Sequence, residues 1–438
     1  MKEILCLGAG LVAKPYVDYL CNHGYNLIVA SRTKEKAVNL VSGHDNAAAR
    51  EFNIKTDHQM LDRMVSNADL VCSLLPYTYH VQAAEIAIEY ETPFCTTSYI
   101  SNEMWALDEQ AKEAGVILLN ECGVDPGIDH MSAKKIIDQV HAQDGKIQSF
   151  TSYTGGLPAP DANDNPFGYK LSWSPRGVLL AGTNDARFLR EGEEVHIPAS
   201  ELFGTCKQMQ IQGLGTFEGY PNRDSLSYID IYSIPETNTM IRGTLRYPGW
   251  CKTLKAIFDL GLLSLEERDM DEMTYEELIM DLINSNQEGI RFSVSKSADL
   301  PMDSPVLDRL QWLGLFENTR IPTGTTTPLD ALCHLFEEKL QYAPNERDMI
   351  VMRHQFLVEF DGEKEKITST LIDYGHPGGD SSMSRTVALP VAIASHMILQ
   401  GKINLSGVFR PTIPEIYEPI LKQLKKHNIE FDEQRKKL

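Results

Sequence analysis

The sequence shows no cysteine-pairing pattern. Its 438 residues include eight cysteines (Cys6, Cys21, Cys72, Cys95, Cys122, Cys206, Cys251 and Cys333), scattered without any C-x-x-C spacing. That pattern indicates neither a disulfide framework nor a zinc site, and it fits a reducing cytoplasm. Long hydrophobic runs are missing as well: no apolar stretch reaches membrane-spanning length. The sequence starts directly on a strand pattern, so no secretory signal is visible. Positive charge is in short supply. Lys and Arg number 41 against 61 Asp and Glu, for a formal net charge of −20, which argues against nucleic acid as a partner. An anionic substrate would therefore need arginines gathered locally. No second histidine or carboxylate gives His130 a metal-ligand spacing, and it is expected to pack inside a helix; no metal is expected. Internal repeats and low-complexity segments are absent too.

What is present begins at the first residues. An apolar run, Ile4 to Leu7, leads into Gly8-Ala9-Gly10-Leu11-Val12-Ala13, a strand ending in a G-x-G-x-x-A turn with a helix behind it. Gly8 permits the tight turn, Gly10 lets backbone amides approach a pyrophosphate, and the small Ala13 lets the helix sit close on the strand. The strand before and the helix after make this a dinucleotide site rather than a bare glycine pattern. The second strand, Leu27 to Ala30, ends in Ser31-Arg32-Thr33, where an NAD site usually carries an acid for the ribose hydroxyls. No acid stands there. Arg32 can pair bidentately with a 2′-phosphate and stack on an adenine face, so the sequence points to NADP.

The length suggests two or three domains. Up to Cys122, short apolar strands (Ile4–Leu7, Leu27–Ala30, Leu70–Leu75, Phe94–Thr97, Val116–Leu119, and one between Ala47 and Ile54) alternate with helical stretches, as in a parallel, doubly wound sheet. Beyond Gly123, alternating strands are expected at Ile147–Tyr153, Gln208–Gln212, Ser227–Ser233 and Thr239–Leu245, with Gly155 to Pro160 as a loop, giving an antiparallel or mixed sheet. Helices are expected at Leu263–Glu267, Thr274–Asn284, Pro305–Leu315 and Thr327–Leu340. Strands follow at Met349–Glu359 and Lys366–Asp373, then a helix at Ser384–Leu399. The tail from Ile413 to Leu438 reads as an exposed helix ending in basic residues.

In a parallel sheet, ligands bind outside the carboxyl ends of the strands. Three polar clusters fall there: Leu74-Leu-Pro-Tyr-Thr-Tyr-His80, Thr96-Thr97-Ser98-Tyr99, and Asn120-Glu-Cys-Gly-Val-Asp-Pro-Gly-Ile-Asp-His130. Asp125 either caps the helix starting near Ile128 or acts beside a nicotinamide. Further on, Arg223 in a loop and Arg242 and Arg246 on or near a strand would suit carboxylates.

Taken together, these strings resemble the saccharopine dehydrogenase family of the NADP-dependent, L-glutamate-forming type. The likeness runs through Gly8-Ala-Gly10, Leu75-Pro-Tyr77, Thr96 to Tyr99, Asn120-Glu121, Asp125 to His130, Gly155 to Pro160, Asp164-Asn-Pro166, Ser172-Trp-Ser174, Arg176-Gly-Val178, Tyr220 to Ser225 and Arg242 to Tyr247. It implies an α/β chain in three domains. These are a variant Rossmann NADP-binding domain (1–125 plus 385–438), a mixed α/β substrate domain (126–248 plus 346–384) and a helical domain (249–345). It implies interconversion of saccharopine with L-glutamate and 2-aminoadipate 6-semialdehyde, in lysine metabolism, by a cytoplasmic homodimer without membrane or nucleic-acid partners. Cofactor contacts would fall on Gly8, Ala9, Gly10, Leu11, Val12, Ser31, Arg32, Thr33, Leu74, Thr96, Thr97, Gly123, Val124, Asp125 and Trp173. Substrate contacts would fall on Ser98, Tyr99, Asp125, Arg223, Thr244, Leu245 and Arg246, with Asp125 and Tyr99 as the catalytic pair. One departure is Thr154, where the family pattern has a cysteine before Gly-Gly-Leu-Pro, so a cysteine acid–base role cannot apply. Two alternatives stay open. A carboxynorspermidine-type condensing enzyme acts on a cationic amine, for which Arg223 and Arg246 are poorly suited. A non-catalytic NADPH sensor would be expected to lose the polar clusters that this chain keeps.

Overall fold

The computed structural model describes residues 1–285 and 289–438. By contacts the chain divides into two units, 1–145 with 379–432 and 146–378 with 433–438.

The first unit is built on a seven-stranded parallel sheet. Its order is Gly407–Phe409, Ile117–Leu119, Phe94–Thr96, Leu70–Ser73, Glu3–Leu7, Asn26–Ser31, Ala47–Glu51. The four central strands are short and almost wholly buried, which is why they read as continuous apolar runs. Strand order reverses on either side of Glu3–Leu7, so the first glycine turn opens at the switch point where doubly wound sheets hold nucleotides. Ser382–Leu399 is a helix long and apolar enough to span a membrane, contrary to the sequence expectation. Most of it (83%) is buried within the unit, which gives its apolar surface a partner in the protein core.

The second unit carries a nine-stranded mixed sheet, its main path ordered Lys207–Ile211, Gly215–Pro221, Thr239–Arg246, Lys146–Pro158, Asp348–Phe360, Glu363–Tyr374, Asp432–Lys437. Thr239–Arg246 runs parallel to Lys146–Pro158 and antiparallel to Gly215–Pro221. The helices between Trp250 and Lys339 share one hydrophobic core with this sheet: Trp250, Leu254, Leu307, Leu310 and Phe336 pack in the same cluster as Tyr153, Leu157 and Leu245. The contact division therefore differs from the three-part expectation. Residues 249–345 group with the sheet, and the helix Ile128–His141 groups with the parallel one.

Four local expectations are corrected. Ser227–Tyr232 is a helix, not a strand: Tyr228 and Tyr232, four apart, are buried with rings 5.6 Å apart, a helical rather than an alternating spacing. Leu263 to Glu267 forms no helix. The run is too short to nucleate one, and the flanking backbone bonds elsewhere, with Leu329 N donating to Ser264 O and Arg268 N to Thr326 O. Gly155 to Pro158 extends the strand rather than looping, paired with Asp348 to Val351. The tail is a half-buried helix, Pro414–Leu424, followed by an edge strand, Asp432–Lys437. Backbone pairing and the Lys437–Glu363 ion pair (3.1 Å) fix that strand to Glu363–Tyr374 despite its polarity.

Candidate active site

The glycine turn lies where the sequence places it. Gly8 has φ +112°, and a Cβ there would come within 2.8 Å of Leu74 O, so only glycine fits between the first and fourth strands. Gly10 has open space around it, Leu11 is 77% exposed, and Ala13 is fully buried against the sheet. The surface over this turn is therefore clear for a ligand, and the site fits a dinucleotide. At the end of the second strand Ser31 Oγ accepts from Thr33 N (3.3 Å). Arg32 is exposed, and among the described residues its guanidinium makes no hydrogen bond or ion pair. An unengaged guanidinium at that position suits a 2′-phosphate.

The next two strand ends are tied together by His80. This buried imidazole has Nδ1 2.9 Å from Ser73 Oγ and Nε2 2.8 Å from Ser98 Oγ, with Thr96 Oγ1 at 3.2 Å. Burial drives its pKa down from 6.5 to about 4, so it is neutral and can accept at one nitrogen while donating at the other. The expected site residues Thr96 and Ser98 are thus positioned by a histidine not singled out from the sequence. Its signal was its place at a strand end, in Leu74 to His80.

The sixth strand end folds onto the fifth. Glu121 N donates to Ser98 O (3.0 Å) and Cys122 N to Thr96 O (3.2 Å). Glu121, at φ +54°, is buried: its carboxylate accepts from Ile100 N (3.0 Å) and faces His130 Nε2 (2.8 Å) and Arg410 (3.4 Å). Burial opposes its charge, but His130, Arg410 and the amide outweigh burial and hold its carboxyl below the usual range. His130 packs inside its helix, as expected. Gly127 closes the loop at φ +147°, where a Cβ would lie 2.0 Å from Gly123 O. The helix behind it is capped by Gly127, whose amide donates to Asp129 Oδ1 (2.6 Å). Asp125, half-buried, is therefore not the cap. Instead it accepts a hydrogen bond from Tyr99 Oη at 3.2 Å, which brings together the two residues expected to be catalytic.

In the second unit, Thr244, Leu245 and Arg246 lie on the strand Thr239–Arg246, with Thr244 in register with Tyr220 and Thr154. Leu245 turns its side chain into the core, so any contact it makes with a ligand is through its backbone. Arg246 is buried, with only 6% of its surface exposed. Its guanidinium stacks near Tyr169 (5.1 Å) and Trp250 (5.3 Å) and donates to Leu245 O (2.8 Å). Its Nε has no hydrogen-bond partner, and it makes no ion pair with any described acid. Glu218 sits opposite it in register, but both its oxygens are used by helix amides: Gly249 N at 2.8 Å and Cys251 N at 2.9 Å. A buried cation without an anionic partner is costly unless a ligand supplies one. Arg223 is exposed at φ +53° in the loop after Gly215–Pro221, its carbonyl accepting from Arg187 N. Trp173, 37% exposed, stands against Gly177, where a Cβ would meet its ring at 2.5 Å.

Two families match the chain in succession: the saccharopine dehydrogenase NADP-binding domain over residues 4–119 and the saccharopine dehydrogenase C-terminal domain over residues 123–429. The chain belongs to the saccharopine dehydrogenase family. It is 42% identical to saccharopine dehydrogenase [NADP(+), L-glutamate-forming] of Saccharomyces cerevisiae, with 97% of each chain covered. It is 36% identical to bovine mitochondrial alpha-aminoadipic semialdehyde synthase, where 99% of this chain matches 48% of that protein. The solved apo structure of the yeast L-Glu-forming saccharopine dehydrogenase covers all of both chains with a TM-score of 0.92 at 40% identity. The first unit thus holds the NADP-binding domain of a saccharopine dehydrogenase, as its glycine turn indicated.

Proposed function

We propose that this chain interconverts saccharopine with L-glutamate and 2-aminoadipate 6-semialdehyde in lysine metabolism. In this reading Asp125 and Tyr99 handle the protons, and Arg223 and Arg246 hold substrate carboxylates. The cofactor is NADP, and bound NADP⁺ supplies the hydride acceptor for the carbon next to the secondary amine. The turn from Gly8 to Val12, with Ser31, Arg32, Thr33, Leu74, Thr96, Thr97, Gly123, Val124 and Trp173, is the set that would hold it. Asp125 takes the proton of the secondary amine as that amine is oxidised. Water adds to the resulting substrate imine, and Asp125 returns a proton as the carbinolamine collapses to amine and aldehyde. Tyr99 donates to the Asp125 carboxylate and keeps it aimed. Ser98, held by neutral His80, offers a fixed hydroxyl to the substrate, and Thr244 and the Leu245 backbone add polar contacts.

Arg246 is the observation that carries the substrate reading. Saccharopine has three carboxylates, and a buried guanidinium with no acid of its own among the described residues, in a chain of net charge −20, is suited to one of them. A cationic polyamine precursor would gain nothing from it. A cytoplasmic homodimer without membrane or nucleic-acid partners completes the proposal. The test is absorbance at 340 nm with saccharopine and either NADP⁺ or NAD⁺. Growth of NADPH at far higher kcat/KM with NADP⁺ is expected; no signal with either cofactor despite tight NADPH binding would overturn the reading.

A further inference from the structure

The fold brings two of the eight cysteines together. Cys206 lies between the 3-10 segment Ala199–Thr205 and the strand Lys207–Ile211, and Cys251 is in the first turn of the helix Trp250–Asp259. Their sulfurs and a carboxylate oxygen of Glu218 all lie within 4.8 Å of one another. Cys206 is the only one of the eight thiols that is not buried. Such a triad could ligate a soft cation, but Glu218 is already committed. Its two oxygens accept from the Gly249 and Cys251 amides and cap the helix, and a metal would have to compete with both bonds. That leaves two adjacent thiols, one of them reachable from solvent.

We infer that Cys206 and Cys251 form a reversible dithiol–disulfide pair that takes a low-molecular-weight disulfide as its oxidant. The two sulfurs are chemically unequal. Contact with the Cys251 thiol holds Cys206 below the ordinary thiol value, against burial and Glu218 and with help from Lys252. The same contact, then burial and Glu218, pushes Cys251 up. Cys206, the thiol that solvent reaches, is therefore the attacking group and the buried Cys251 the resolving one. With glutathione disulfide, the Cys206 thiolate attacks one sulfur and releases one glutathione thiolate. Cys251 then loses its proton, attacks Cys206 Sγ and releases the second. Two protein thiols are oxidised, one glutathione disulfide is reduced to two glutathiones, and the two thiol protons pass to the leaving thiolates.

The bond would act on the strand end beside it. Closing the sulfurs to about 2.05 Å draws the first turn of the helix toward Cys206. Trp250, next to Cys251, is one of the rings on which Arg246 stacks. Any effect on saccharopine binding rests on the role proposed for Arg246, whereas the bridge itself does not.

The experiment incubates the purified full chain with glutathione disulfide, alkylates free thiols and maps peptides by mass spectrometry without reduction. A Cys206–Cys251 cross-linked peptide is expected, with two titratable thiols lost and restored by dithiothreitol. Cys206→Ser should give no cross-link, and Cys251→Ser should retain glutathione on Cys206. Wild-type protein that keeps glutathione on Cys206 without forming the bridge would overturn the inference. So would stoichiometric zinc in the isolated protein that protects both thiols. In parallel, KM for saccharopine should rise about threefold or more on oxidation, with KM for NADP⁺ unmoved. A bridge that forms with saccharopine KM unchanged would support the dithiol pair and count against the carboxylate role of Arg246.

Discussion

Tyr99 Oη donates to Asp125 Oδ1 across 3.2 Å, joining the carboxyl ends of the fifth and sixth strands of the parallel sheet. The contact exists because Glu121 N and Cys122 N bond back to the Thr96–Ser98 backbone, laying one loop over the other. It places the Asp125 carboxylate next to a phenol. Asp125→Asn should lower kcat/KM for saccharopine by about 10²–10⁴-fold, the usual contribution of a general acid–base group. Tyr99→Phe should cost less, about tenfold. Steady-state kinetics across pH decides, and an Asp125→Asn enzyme with nearly full kcat/KM at every pH would remove it from the mechanism.

In the proposed site Arg32 would set the choice of cofactor. Arg32→Ala should raise KM for NADP⁺ about 10–100-fold, the value of one charge-assisted pair, and leave KM for NAD⁺ nearly unchanged. Equal losses with both cofactors would mean that Arg32 contacts something other than the 2′-phosphate.

His80 gives the first unit a pH dependence of definite sign. Its folded-state pKa of about 4 lies below the unfolded value of 6.5, so the unfolded chain binds the proton more readily. Stability is complete above pH 6.5 and falls as pH drops through the window from 6.5 to 4, by about 3 kcal/mol in all. Denaturant melts between pH 7 and 4 should show this slope, and His80→Gln should flatten it.

Arg246 is held by aromatic faces as well as by its charge, so a lysine is not equivalent to it. Arg246→Lys should raise KM for saccharopine at least about tenfold, and Arg246→Met about a hundredfold, with KM for NADP⁺ preserved. Unchanged saccharopine KM in both variants would take Arg246 out of the substrate site.

Gly127 tolerates no side chain. With φ at +147° and Gly123 O where a Cβ would stand, Gly127→Ala should cost about 3 kcal/mol or more and displace Asp125. Thermal melts should show a lower Tm, and activity should fall even where the protein remains folded.

Much of this molecule was legible in its chain. The glycine turn, the missing acid after the second strand, the six parallel strands and the polar strand ends all follow from local rules: tight turns, crossover lengths and buried apolar runs. The Asp125–Tyr99 pair was readable as two strand-end clusters, though not as a contact. Other features were beyond that reading. Ser227–Tyr232 looked like a strand because its apolar residues suit either period, and only the packing of Tyr228 on Tyr232 chose the helix. The edge strand Asp432–Lys437 has no apolar pattern; it forms because a neighbouring strand offers unpaired backbone. His80 as a clamp on Ser98, Glu121 between His130 and Arg410, the isolation of Arg246 and the meeting of Cys206 with Cys251 join residues distant in sequence. Local sequence determined the elements and the cofactor turn, because those depend on neighbouring residues. The tertiary structure decided which polar groups are buried, paired or left without a partner, because burial and pairing are set by what the rest of the chain brings alongside.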